Sequence, residues 1–279
     1  MSCAGEPQNA ELYLDLMKRC LTRCAFPETH RSLRPHRGSL ARPLYAPIKK
    51  VLALAQLDLM MRVPFDLRQR EEGRDLPSEA ETMVGLRRLD QLQHCASEIL
   101  RGGVPGDFME TGAWRGGAAI FMRALLKAFG ETHRRVWVAD SFRGLPAPDA
   151  VNFPADAGSR LGQDEHLVVS LEQVKANFAR YGLLDEQVRF LDGWFGATLP
   201  GAPIERLAVL RLDGDLYQST IEALRWLYPK LSVGGYLIVD DYGAIPACKT
   251  AVDDYRADHR ITEPIEVIDW TGVFWRRSQ

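Results

Sequence analysis

The pattern of apolar and polar positions divides the chain near residue 104. Before that point apolar residues recur at helical spacing. Leu12, Leu14, Leu16, Met17, Cys20, Leu21 and Cys24 make one stripe, an amphipathic segment spans 47–61, and a further helix is predicted over about 79–101. Ser78 and Glu81 stand three apart at its start, the spacing of a capping box. Beyond Gly106, short apolar runs alternate with helical stretches, as in a parallel sheet covered on both faces. Strands are predicted at 107–110, 135–139, 188–191, 208–212 and 235–239, with helices near 117–129, 170–181, 218–231 and 247–259. Two later runs, 265–268 and 273–275, carry the β-rich residues of a closing antiparallel pair. The fold class is therefore α/β: a seven-stranded, mostly parallel sheet over 104–279, preceded by a helical cap over 1–103. The stretch 144–158, rich in proline, alanine and aspartate, reads as a mobile loop.

Composition narrows the partners. With 46 % apolar residues, the 279-residue chain can bury a single large core. Thirty-five basic residues against 37 acidic ones leave a net charge of -2 without long runs of either sign, which argues against nucleic acid and anionic membrane as partners. No apolar run approaches the roughly 20 residues of a membrane span, and the five scattered cysteines fit a reducing compartment, so a cytoplasmic protein is expected. Cys20 and Cys24 with His30 and His36 could be read as zinc ligands. Small apolar positions on one helix face explain the two cysteines better.

The chemistry gathers at predicted strand ends, where open α/β sheets bind ligands. The first strand runs into Glu110-Thr111-Gly112-Ala113-Trp114-Arg115-Gly116-Gly117, a glycine turn that lets backbone N-H groups approach a ligand. The tighter Gly-x-Gly-x-x-Gly fingerprint of a dinucleotide site is absent. The second ends in Asp140-Ser141-Phe142, placed to accept from a ribose, and the third in Asp192-Gly193-Trp194-Phe195, placed to recognise a base.

The fourth and fifth strands end in Asp213-Gly214-Asp215 and Asp240-Asp241-Tyr242, joined by one helix, so Asp213 and Asp240 should emerge side by side. Clustered carboxylates repel one another unless a cation sits among them, and an all-oxygen set suits magnesium, manganese or calcium better than zinc. Capping of the following helices is the plainer use for such acids. Asp213 is the candidate base, since it can reach both an ion and a substrate hydroxyl. His166 and Lys249 are alternatives, and His166, Tyr217 and Tyr242 are candidate substrate contacts.

Together these motifs, with Arg74-Asp75-Leu76-Pro77 and Thr82-Met83-Val84-Gly85, closely resemble the macrocin O-methyltransferase family from about residue 74 onward. The resemblance implies a class I methyltransferase, Rossmann-like, using S-adenosylmethionine and Mg2+ to methylate a deoxysugar hydroxyl of an antibiotic. It implies metal ligands at Asp213, Asp240 and Asp241, with Asp213 also the base. Cofactor contacts are expected at Thr82, Met83, Glu110, Thr111, Gly112, Trp114, Gly116, Gly117, Asp140, Ser141, Phe142, Asp192, Gly193, Trp194 and Asp213. The resemblance also implies a homodimer or larger homo-oligomer, in which the cap over 1–103 closes the site and serves oligomerisation. A catechol or other phenolic acceptor is an alternative that also suits a metal, and a non-catalytic nucleotide-binding subunit is a third reading. The stretch 26–73 is longer and more basic than the family pattern, which leaves the acceptor open.

Overall fold

The computed structural model describes residues 6–33 and 42–279. The first hundred residues hold α1 (Glu6–Leu21), β1 (His30–Ser32), α2 (Arg42–Leu54), β2 (Met60–Arg62), α3 (Leu67–Glu72) and α4 (Leu86–Gly102). The chain then alternates through β3 (Asp107–Thr111), α5 (Gly117–Ala128), β4 (Val136–Asp140), α6 (Leu171–Arg180), β5 (Val188–Asp192), α7 (Phe195–Thr198) and β6 (Leu207–Leu212). It closes with α8 (Tyr217–Leu227), β7 (Leu231–Val239), α9 (Pro246–Asp258), β8 (Glu266–Val267) and β9 (Val273–Arg276).

The seven-stranded sheet has the order β5-β4-β3-β6-β7-β9-β8, parallel except where β9 pairs antiparallel with β7 and β8. Strand order reverses between β3 and β6, the place where such sheets open a ligand crevice. Alternate residues face opposite cores, as the pleat requires. Phe108, Val136 and Val138 pack with Leu14, Leu92 and Phe121, whereas Met109, Trp137 and Ala139 pack with Leu224, Val252 and Tyr255. Helices α1 and α4 thus supply core to one face of the sheet as well as preceding it.

Several local expectations are corrected. Helix α4 starts at Leu86 with Gly85 as its cap, so Ser78 and Glu81 form no capping box. The N-H groups of Ser78, Glu79 and Ala80 bind the Glu28 carboxylate instead, and Glu81 is buried against the Tyr181 hydroxyl at 3.0 Å. Helix α1 stops at Leu21, where Arg23 turns to a φ of 61°, so Cys24 lies past the helix rather than on its face. His36 and part of the basic stretch fall outside the described residues. The loop expected to be mobile contains one 3-10 turn, Pro154–Asp156, and is bonded at Gly144 to the Ser141 hydroxyl and at Asp156 to the start of α8. The antiparallel pairing of β1 with β2 carries no clear signal in the sequence.

Candidate active site

Register brings the site together. Thr111, Leu212 and Val239 are neighbours across β3, β6 and β7, so the next residues, Gly112, Asp213 and Asp240, leave the sheet side by side. Backbone bonds from Asp213 N to Thr111 O (2.9 Å) and from Asp240 N to Leu212 O (2.9 Å) extend the ladder past the strands. Gly112 has a φ of 86°, and a Cβ there would lie 1.6 Å from the Asp213 carbonyl oxygen. Only glycine allows β3 and β6 to approach this closely at their ends.

A cavity of about 460 Å³ opens over the ends of β3, β4, β5 and β6. Of the expected cofactor contacts, Met83, Gly112, Trp114, Asp140, Ser141, Gly193, Trp194 and Asp213 line it. The others do not line it: most are buried behind its wall, and Asp192 is exposed at the end of β5. Glu110 is buried, accepting from Ala119 N at 2.9 Å and from Arg211 at 2.6 Å. The Thr82 hydroxyl accepts from Val84 N, Thr111 is buried at the end of β3, and Phe142 packs in the core against Phe190. Gly116 abuts Val174 and Phe178, Gly117 abuts Glu81 and Thr82, and Asp192 lies beside Arg143 at 3.5 Å. Asp140 mainly shapes the wall. Its carboxylate accepts from Ala113 N (2.7 Å), Trp114 N (3.3 Å) and Phe142 N (2.7 Å), clamping the β3 and β4 turns together. Burial still raises this carboxyl above its ordinary value despite those three bonds.

The lining also includes residues that no motif marked: Leu145 and Pro146 from the loop after β4, and Gln218 and Glu222 on α8. A helical face holding Gln218 and Glu222 is legible; its turn toward a ligand is set by tertiary packing. Of the candidate substrate contacts, His166 lies against the Trp114 ring at 5.2 Å, beside a second, polar recess. Tyr217 and Tyr242 point their hydroxyls to Asp254 and Asp253 on α9, away from the cavity. Lys249, the other alternative base, is exposed and paired with Asp253 and the Tyr242 hydroxyl.

Next to the cavity, Asp213, Asp240 and Asp241 each offer a carboxylate oxygen within 4.8 Å of the others, the one such group of ligand-type side chains among the described residues. Two buried arginines brace it. Arg211, the single charge in the apolar run of β6, donates to Glu110 (2.6 Å), Asp213 Oδ2 (2.9 Å) and Asp240 Oδ1, while Arg88 of α4 donates to Asp240 Oδ2 and lies 3.1 Å from Asp269. Burial alone would raise the Asp240 carboxyl, but Arg211 and Arg88 hold it below its ordinary value. Burial and the charge of Asp240 push Asp213 up to about 6, against Arg211. Asp241 has no arginine opposite it among the described residues. Burial and the charges of Asp215, Asp213 and Asp240 raise it far above the usual carboxylate range. Asp213, Asp215, Asp240 and Asp241 face two guanidinia that Glu110 and Asp269 also share, so ionising all four would leave excess negative charge on oxygen donors only, a set that a hard divalent cation fits.

The family model described as Macrocin-O-methyltransferase (TylF) matches residues 10–277. The chain belongs to the macrocin O-methyltransferase family. It is an S-adenosylmethionine-dependent O-methyltransferase. It is 53 % identical over 96 % of its length to the 8-demethyl-8-(2,3-dimethoxy-alpha-L-rhamnosyl)-tetracenomycin-C 4'-O-methyltransferase of Streptomyces olivaceus, covering 93 % of that protein. It is 47 % identical to the mycinamicin III 3''-O-methyltransferase of Micromonospora griseorubida, over 96 % of this chain and 97 % of that one. The solved structure of the O-methyltransferase NovP superposes with a TM-score of 0.83 at 44 % identity, over 97 % of this chain and all (100 %) of NovP. The seven-stranded sheet is thus that of class I methyltransferases. Among the described residues, no helix is long and apolar enough to cross a membrane.

Proposed function

We propose that the protein methylates a sugar hydroxyl of an antibiotic glycoside, with magnesium held by Asp213, Asp240 and Asp241. One observation carries the reading: Asp213 both lines the cofactor cavity and belongs to the three-carboxylate group. When bound, S-adenosylmethionine supplies a methyl group on an electrophilic sulfonium, and a divalent ion lowers the pKa of a hydroxyl and fixes its position. The chain's own residues align the partners and take the proton. Met83, Gly112 and Trp114 would hold the amino-acid end of the cofactor, Ser141 the ribose, and Gly193 and Trp194 the base, a reading supported by the order of the strand ends along the cavity. Arg211 holds Asp213 Oδ2, so Oδ1 is the oxygen free to accept the hydroxyl proton. Asp240, already neutralised by two arginines, anchors the site, while Asp241 contributes the less compensated charge.

The sugar assignment follows the relatives, one of which is named for a rhamnosyl substrate. A phenolic acceptor is less well served. Tyr242 is engaged outside the cavity, and Trp194 and Phe195 lie at its base-binding end. The test is transfer of labelled methyl to rhamnosylated polyketides and, in parallel, to catechols. Transfer to a glycoside that stops with a chelator and returns with magnesium is expected. Chelator-insensitive turnover removes the metal role, and transfer to catechols alone removes the sugar.

Association into a homodimer or larger homo-oligomer completes the proposal. Ile48, Val51, Leu54, Leu57, Met60 and Met61 leave an exposed apolar surface on and around α2 and β2 that a second copy would cover. Light scattering that finds only monomer would reject this. The cytoplasm is the proposed compartment, where free cysteines such as Cys20 and Cys24 stay reduced.

A further inference from the structure

The segment between β4 and α6 walls the cofactor cavity with Leu145, Pro146 and Leu167, but its middle turns away from the cavity. Residues 153–156 reach α8, with the Phe153 ring 6.2 Å from that of Tyr217 and packed on the second core. This places Asp156 in the interior at 1 % exposure. Its two oxygens accept from Tyr217 N at 2.7 Å and Gln218 N at 3.0 Å.

A buried carboxylate needs hydrogen-bond donors and positive potential around it. The amino end of α8 offers both, through free N-H groups and the helix dipole. The residue preceding α8 is Leu216, whose side chain accepts nothing, so the helix has no cap of its own. Asp156 supplies that cap from 61 residues away. The capped helix follows directly on Asp213-Gly214-Asp215-Leu216, a turn in which Asp215 is held at a φ of 56°. At that value the backbone is strained and depends on its surroundings to stay in place.

We propose that Asp156 is a positioning residue, tying the wall of the cofactor cavity to the turn that carries Asp213, so that the cofactor pocket and the proton acceptor are set as one unit. The inference rests on Asp213 belonging to the working site, as proposed above, but its test does not depend on turnover.

The experiment compares Asp156→Ala and Asp156→Asn with the parent protein, reading S-adenosylhomocysteine affinity by calorimetry and exchange of the Tyr217 and Gln218 amides by hydrogen-exchange NMR. In Asp156→Ala both amides should exchange faster, and affinity should fall about tenfold with the far-ultraviolet spectrum unchanged. Asp156→Asn, which keeps one of the two acceptor oxygens without the charge, should stay within about threefold of the parent. An Ala variant with exposed amides and unaltered affinity would reduce Asp156 to a structural cap and overturn the inference. Should the Ala variant fail to fold, the Asn variant decides alone: tenfold weaker binding with both amides still protected also overturns it. Retained turnover in Asp213→Asn would remove the proposed base and leave these two readouts untouched.

Discussion

At the ends of β4 and β5 the cavity is walled largely by backbone, small residues and aromatic rings, whereas at the ends of β6 and β7 four carboxylates crowd together, braced by two buried arginines. The first side can accept a ligand with little electrostatic cost. The second gathers more carboxylates than its two arginines balance, and its geometry depends on long-range ion pairs. On the proposed function, one part of this sheet edge would hold the cofactor and the other activate the hydroxyl, and Asp213, which belongs to both the cavity lining and the acidic group, stands at the seam.

The sharpest way to break this division is Asp213→Asn. Loss of a positioned base should lower kcat by about 10²–10⁴-fold, while S-adenosylhomocysteine affinity measured by calorimetry stays within about threefold. Equal losses in both would mean that the two sides do not separate. Next in size is Arg211→Met, which strands Glu110, Asp213 and Asp240 without their shared guanidinium. Denaturant unfolding should show a loss of about 3–5 kcal/mol, the cost of an uncompensated buried charge. Gly112→Ala probes the seam itself, since its Cβ would meet the Asp213 carbonyl. A loss of about 1–3 kcal/mol in the same unfolding assay is expected, with weaker cofactor binding.

The smallest effect belongs to an ion pair remote from the site. Arg123 donates to both oxygens of Asp185, at 3.0 and 2.6 Å, and this bonding holds the carboxyl below its ordinary 3.8. A depressed folded pKa stabilises above the unfolded value, and the contribution fades as pH falls through the folded one. Asp185→Asn should thus cost under about 1 kcal/mol at pH 7, given the partly exposed pair. The difference in Tm between variant and parent should vanish as pH drops below 3.8.

Much of the cavity side is legible in the chain because it is local. Apolar runs locate the strands, glycines mark the turns, and Asp213 with Asp240 follows from two adjacent strand ends. What resists reading is long-range. Arg211 looks like an interruption of a buried strand, and nothing near Arg88 signals a partner 152 residues away. Asp156 sits in a segment whose composition suggests mobility, although its carboxylate caps a helix. Glu110 and Phe142 lie inside cofactor motifs yet face away from the cavity, because alternate strand residues point to opposite sides and the turn at Phe142 has a φ of 54°.

If Asp213, Asp240 and Asp241 jointly hold a divalent ion, as proposed, the protein should bind one without substrate. Titrating the purified protein with Mn2+ and following the free ion by electron paramagnetic resonance tests it without any acceptor. A single ion per chain is expected, competed by magnesium and lost in Asp241→Asn; an Asp241→Asn protein that binds Mn2+ with the same stoichiometry and affinity would rule out the shared site.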